Sequence, residues 1–290
     1  MQLTPQPEKA APDNRDQPDM PATTTRSHME SSQPIAAPAE LRKGPLASAP
    51  LGEAGAYHVR MVESGDDLRL AQALRFRVFN LELKEGLQSS FATGLDSDQF
   101  DAVCDHLLVE EKATGEVVGT YRMQTGPAAA ENLGYYSAQE FDFGPYEKIR
   151  GEVVELGRAC VHKDHRNFAV LNLLWKGIAR YAGKHDARYL IGCSSLTSQD
   201  PAEGAALYRS FTRNLAPEPL RTRPLPAVEC PLDQVKSPAP KAPKLLSAYL
   251  MIGAKICGAP AIDREFKTID FLTLLDLKTL PARVADRFLG

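Results

Sequence analysis

The run Glu152-Val153-Val154-Glu155-Leu156-Gly157-Arg158-Ala159-Cys160-Val161 places an acid, a glycine and an arginine inside a segment that otherwise reads as a buried strand. Charge in such a place needs a chemical reason. Glu155 could take a proton from an attacking amine or hold an ammonium group. An exposed glutamate has a pKa of about 4.3, so the first role requires burial to raise it, while the nearby Arg158 pulls the other way. Glu155 is therefore read equally as the group that positions a substrate while water takes the proton. Glu155 and Arg158 are three apart, which puts them on opposite faces of a regular strand. A β-bulge would bring them toward one side, and Gly157 between them tolerates one. The other reading of the pair is a structural Glu–Arg ion pair at a sheet end. His162 and His165 share a three-residue spacing, but no third ligand stands at a metal-site interval, so no metal is expected. Cys193-Ser194-Ser195 lacks the glycine-flanked serine of a nucleophile elbow and reads as a buried strand end rather than an acyl-enzyme site.

The elements that must carry these residues alternate. Tyr57 to Val62 is a strand candidate. Ser64-Gly65-Asp66-Asp67 resembles a capping box before a helical stripe of Leu70, Leu74, Val78 and Leu81. His106–Glu111 and Val117–Met123 flank Lys112-Ala113-Thr114-Gly115 as a hairpin. After the charged strand comes a helix from Phe168 to His185, with Leu171, Leu174, Ile178 and Tyr181 on one face, and then a strand from Arg188 to Cys193. Asp200 caps a helix over Ala202–Phe211 with Pro201 at its first position. Leu245–Cys257 reads as a helix ended by Gly258, and Thr268–Leu277 as an apolar strand. The fold class is α+β with a mixed sheet.

Proline divides the chain of 290 residues: nine of its 22 lie in residues 1–50 and eight between Pro217 and Pro243. The first segment, taken as 1–55, has too little apolar surface to repay ordering and is expected to be a disordered tail; the second is a long loop at 217–243 within one domain spanning 56–290. A hydrophobic content of 43% suffices for a packed core. Net charge of -3 and a pI near 6.1, with no Lys/Arg-rich block, argue against nucleic-acid binding. Five scattered cysteines without a CxxC pair read as thiols in a reducing compartment. No apolar stretch marks a signal peptide in residues 1–50, and Leu245–Ala254 is about half a membrane span. A cytoplasmic location is expected, with peripheral contact at the inner face of the membrane as an option.

Arg75-Phe76-Arg77-Val78-Phe79, Asp96-Ser97-Asp98-Gln99-Phe100-Asp101, Gly119-Thr120-Tyr121-Arg122 and Glu155-Leu156-Gly157-Arg158 come in an order and spacing that resemble the N-acyltransferase branch of the GNAT superfamily. That branch holds acyl-homoserine-lactone synthases and ornithine acyl-ACP N-acyltransferases. Leu174-Trp175-Lys176-Gly177-Ile178, Ile191-Gly192-Cys193-Ser194-Ser195 and Gly253-Ala254-Lys255-Ile256-Cys257-Gly258 look more like the second group, over roughly residues 57–290. The resemblance implies a mostly antiparallel GNAT-like sheet flanked by helices. It also implies an acyl-carrier-protein thioester as donor and an amino acid, ornithine foremost, as acceptor, giving a 3-hydroxyacyl amide. No bound cofactor is expected: the acyl-phosphopantetheine arrives on its carrier.

By the same analogy Glu155 and Arg158 are the catalytic pair, and Asp98 and Asp101 lie near the acceptor's ammonium, where the other reading is a turn and helix cap. Arg75 and Arg122 bind the acceptor's carboxylate or anchor those aspartates. GNAT enzymes cradle the pyrophosphate of coenzyme A in the loop after the charged strand. Here Arg166 is kept, but Ala169 and Leu171 stand where small residues are usual, which suits a carrier protein better than coenzyme A. Carrier proteins are acidic, and Lys176, Arg180 and Lys184, four apart, offer a basic stripe to meet one; an ordinary solvated face is the alternative. Against the enzyme stands a catalytically silent GNAT-fold module that binds carrier protein or membrane. Within the enzyme class, a homoserine-lactone-type or other N-acyl amino acid synthase is second.

Overall fold

The alternating strand and helix signals resolve into one nine-stranded sheet in the computed structural model, which describes residues 50–288. The strands are β1 (Gly52–Ala54), β2 (Tyr57–Met61), β3 (Asp105–Glu111), β4 (Val117–Thr125), β5 (Val153–Val161), β6 (Tyr189–Leu196), β7 (Lys255–Ile256), β8 (Ala261–Asp263) and β9 (Thr268–Asp276). Their order is β1-β2-β3-β4-β5-β6-β9-β7, with β8 also on β9. Every pairing is antiparallel except β5 with β6. The expected tail lies outside the described residues as far as residue 49. Its boundary moves: residues 52–54 belong to the sheet, because Leu51 N donates to Val59 O at 2.7 Å and Gly52 registers with Val59.

Among the described residues six α-helices accompany the sheet: α1 (Gly65–Arg75), α2 (Gly126–Glu131), α3 (Phe168–Lys184), α4 (Pro201–Ser210), α5 (Lys244–Met251) and α6 (Ala282–Phe288). Asn167 caps α3 by accepting from Val170 N, and the apolar face beyond it sets Leu173, Leu174, Ile178 and Tyr181 against Val59, Leu107, Val109 and Val154. Gly177 allows this close approach, since a Cβ there would lie 2.8 Å from the Leu107 side chain. Truncating the fully buried Leu173 to alanine would cost about 2–5 kcal/mol. On the opposite face α1 packs Ala71 and Leu74 on Leu108 and Cys160, and an aromatic group of Tyr135, Phe141, Phe143 and Tyr146 covers Ile191, Leu272 and Leu274.

Two helices depart from the sequence reading. The stripe from Leu70 runs into a π-helical stretch, Phe76–Leu83, whose wider turn rotates the pattern, so Val78 is buried and Leu81 is 55% exposed. The helix expected over 245–257 stops at Met251. Gly253 takes φ +105°, and Lys255–Ile256 then pair with Leu274 and Thr273 of β9. The proline-rich segment 217–243 carries short 3₁₀ turns at Glu218–Leu220 and Pro226–Val228 and is tied in by Leu225 N donating to Glu140 O and Thr222 N to Cys257 O.

Candidate active site

β5 is where the pattern of the sheet breaks twice. Toward β4, Thr120 registers with Cys160 and Arg122 with Gly157, so one residue of β4 faces two of β5. This is a β-bulge. Arg158 holds it, with φ 49°, while Gly157 stays in the ladder. The expectation that glycine would absorb the bulge is thereby corrected. An arginine in the left-handed region costs about 1–2 kcal/mol, offset by what its side chain gains. Its Nη2 donates to Asp98 Oδ2 at 2.7 Å, and the guanidinium lies 4.1 Å from the Phe266 ring centre and 5.1 Å from that of Tyr136.

Toward β6, the parallel pairing covers only Val153–Glu155 against Tyr189–Ile191. Beyond it the strands splay, leaving that edge of β5 without a strand partner among the described residues. Gly192 permits the backbone approach at the fork, since a Cβ there would stand 2.2 Å from Leu156 O. A cleft of about 350 Å³ opens here, lined by Tyr121, Leu156, Trp175, Gly192, Cys193 and Tyr249. Its walls are mostly apolar, and Tyr121 and Tyr249 share a hydroxyl hydrogen bond of 2.5 Å.

Five of the expected site residues meet in one buried network. Arg75 donates to Asp101 Oδ1 at 2.9 Å and Oδ2 at 2.5 Å, and to Asp96 O at 2.5 Å. Arg122 Nη1 donates to Asp98 Oδ1 at 2.6 Å and Asp101 Oδ1 at 3.0 Å. Asp96, fully buried, lies 3.5 Å from Arg75 and 3.7 Å from Arg158. Three arginines thus face three aspartates. Burial alone would raise the Asp98 and Asp101 carboxyls, but the surrounding guanidinium groups override it, and Asp101 is held well below the usual carboxylate range. Asp98 also caps the short helix at Gln99–Ala102 together with Asp101, the turn-and-cap arrangement that was one reading of these aspartates. Burial, with Arg75 close by, pushes His106 down to about 4, leaving it neutral beside the network.

Glu155 lies beside this network without joining it. Its Oε2 accepts from Gln124 Nε2 at 2.6 Å and Tyr136 N at 2.8 Å, and its Oε1 from Ser137 N at 2.8 Å. The ion pair with Arg158 is therefore corrected: Arg158 turns to the aspartates, and Glu155 clamps the turn at Tyr136–Gln139. Tyr136 links the two, its ring lying 4.9 Å from the Arg122 guanidinium.

The expected donor-side residues are elsewhere. Arg166 is half exposed and grips Glu82 with two nitrogens at 2.6 and 2.8 Å, so it is not a free cation. Lys176 and Arg180 lie on α3, the first half-buried with its side chain beside Gly52 of β1, the second exposed. His165 Nδ1 bonds the Tyr57 hydroxyl at 3.0 Å. Burial and the adjacent Glu140 and Asp270 push the Cys193 thiol well above its ordinary range, which removes it as a nucleophile.

Sequence reading missed one group. Donor atoms of Glu140, Cys193 and Asp270 all lie within 4.8 Å of one another. Asp270 carried a signal, an acid inside the otherwise apolar β9; Glu140, at the end of an irregular turn, carried none.

Comparison with known proteins now adds the family. An L-ornithine N(alpha)-acyltransferase of Brucella abortus (strain 2308) is 33% identical over 252 residues, covering 80% of this chain and 89% of that one. The chain belongs to this acyltransferase family. A second member, from Agrobacterium fabrum (strain C58 / ATCC 33970), is 33% identical over 82% of this chain and 87% of its own. A third, from Rhodobacter capsulatus, is 32% identical over 81% and 94%. Residues 74–176 match the acetyltransferase (GNAT) domain. Among solved structures, the AHL synthase LasI is similar with TM-score 0.45 and 15% identity, over 81% of this chain and 95% of that one. The acyltransferase relatives and the GNAT domain match together make the chain a GNAT-fold acyltransferase. No helix among the described residues is long and apolar enough to cross a membrane.

Proposed function

We propose that this acyltransferase moves a 3-hydroxyacyl chain from the phosphopantetheine thioester of an acyl carrier protein to the α-amine of L-ornithine. The observation that carries this reading is the fork between β5 and β6, with an apolar cleft on one side and a polar, charge-lined turn on the other. An acyl thioester needs an apolar channel, an amino acid needs charged partners, and the two must meet in line. In the reaction the amine nitrogen bonds to the thioester carbonyl carbon. The C–S bond breaks, and of the two protons the acceptor's ammonium gives up, one passes to water or a carboxylate and the other ends on the departing carrier thiolate, which leaves as the thiol. The unpaired edge of β5 supplies backbone N–H groups to the carbonyl oxygen as negative charge develops.

Arg122 is assigned to the acceptor's carboxylate, because its Nη2 is buried without a hydrogen-bond partner although Nη1 is doubly engaged. Asp98, Asp101 and Arg75 act through it, holding the guanidinium in place. Lys176 and Arg180 are assigned to the acidic carrier. The product is an N-acyl amino acid of the lyso-ornithine-lipid type, and the site of action is the cytoplasmic side of the membrane.

The test incubates the protein with 3-hydroxyacyl-carrier protein and a panel of amino acids, reading free carrier thiol. Ornithine-dependent release is the expected result. Release that requires and consumes S-adenosylmethionine would replace this reading with a lactone synthase, and no release with any amine would leave a binding module.

A further inference from the structure

Glu140 and Asp270 are both buried, at 7% and 5% exposure, and their donor atoms lie within 4.8 Å of each other and of Cys193 Sγ. Asp270 registers opposite Ser195 on β6, two residues beyond Cys193, and Cys193 lines the cleft. Glu140 is fixed from both directions. Its N–H donates to Ser137 O at 3.1 Å, and its carbonyl accepts from Leu225 at 2.7 Å. The turn before it is the one Glu155 clamps. Two carboxyl groups are thus held side by side in a nearly dry place by most of the surrounding scaffold.

Such a pair requires a cation or a proton. Asp263 and Glu85 add negative charge around Asp270, and Arg158, the cation that acts on Glu140, is already committed to Asp98. Asp270 Oδ1 is buried with no hydrogen-bond partner, while its carboxyl also interacts with Glu140, Ser195 and Thr268. Burial and the neighbouring carboxylates push both acids up, Asp270 to about 6. Arg122, with its own vacant nitrogen, is linked to the same turn through Tyr136.

We infer that Glu140 and Asp270 form the seat of the acceptor's side-chain ammonium, the subsite that selects a diamino acid over an apolar one of the same length. This rests on the reaction proposed above. An ammonium brings one positive charge and three N–H donors to two carboxylates, and the protonated Cys193 thiol completes the wall without competing for charge. A divalent metal would compete for the same atoms, and the test below separates the two.

The test compares L-ornithine with L-norvaline, the same carbon chain without the terminal amine. In the intact protein, ornithine should raise the melting temperature and norvaline should not. Glu140→Gln and Asp270→Asn should each shrink the ornithine-over-norvaline ratio of kcat/KM by about 10- to 100-fold, the scale of one hydrogen bond to a charged group. Each should also abolish the ornithine-induced shift. Equal binding of the two amino acids by the intact protein would overturn the inference without touching the reaction. So would an equal fall for both acceptors in the variants, which would make these acids proton carriers or structural. One zinc ion retained per chain after dialysis, with ornithine binding blind to both substitutions, would also overturn it. Ornithine-selective binding without acyl transfer from any carrier would keep the subsite and sink the reaction.

Discussion

Replacing Glu155 by glutamine separates an anchor from a base, because the side chain's partners are known atom by atom. The carboxylate accepts three hydrogen bonds, two from backbone N–H groups that cannot turn away. An amide in its place must point its NH2 at Ser137 N or at Tyr136 N. The second choice is worse, because it also faces the Gln124 amide. Gln124 could flip to present its unpartnered Oε1, yet Tyr136 N–H would still be opposed. The better orientation therefore leaves Ser137 N orphaned, a loss of about 1–3 kcal/mol, and removes the charge that strengthens the other two bonds. The sum is about 3 kcal/mol. For a domain of this size that lowers Tm by about 6–12 °C, at about 2–4 °C per kcal/mol. Turnover should fall with it, because the loosened turn carries Tyr136 and Glu140. The assay pairs thermal unfolding with carrier-thiol release under ornithine. A Glu155→Gln protein that melts within about 1 °C of the parent while turnover collapses 10²-fold or more would refute the anchor and restore Glu155 as the base.

Gly192→Ala should cost at least about 10²-fold in turnover, because its Cβ would strike a backbone carbonyl at the fork and shift the cleft wall; wild-type turnover would show that the fork is not where the substrates meet. The two buried acid groups bend the pH profile of stability in opposite directions. Asp270, raised to about 6 in the fold from 3.8, binds its proton more tightly folded than unfolded, so the ligand-free protein gains stability as pH falls from about 6 toward 4. Asp101 is depressed, so its contribution is complete above 3.8 and is lost as pH falls below that value. Urea unfolding at pH 7, 5 and 3 should rise and then fall, and Asp270→Asn should shrink the rise to what the also-raised Glu140 supplies. Reversing the charges of Lys176 and Arg180 should raise KM for the acyl-carrier donor by about tenfold or more while sparing a small pantetheine thioester; equal loss on both would mean damage to α3.

The sequence told which residues were out of place more readily than whom they would touch. An acid and an arginine in β5 are visible as anomalies, and the network of Arg75, Asp98, Asp101, Arg122 and Arg158 was legible as a set. Its pairing was not. Spacing along one strand cannot show that Arg158 reaches a loop sixty residues away, nor that the nearest donors to Glu155 are two backbone amides. The bulge was legible as a need but was given to the wrong residue. Local propensity favours glycine at positive φ, whereas two aromatic faces and a carboxylate hold Arg158 there. Short strands with little periodicity, β1 and β7, escaped entirely, because two or three residues carry no pattern until a neighbour supplies the register.

The extra residue in β5 also acts as a phase change in the strand. Before it, Glu155 and Gly157 point to the same side of the sheet as their partners Gln124 and Arg122; after it, Cys160 points to that side too, beneath α1, although an unbroken alternation would have sent it to the other. Deleting Ala159 would restore a regular ladder, with Gly157, Arg158 and Cys160 opposite Arg122, Tyr121 and Thr120, and would leave Glu155 and Cys160 on their present faces; it would turn over Arg158, sending its side chain to the face of Tyr121 and away from Asp98. The bulge is what puts a third arginine on the aspartates' side of the sheet.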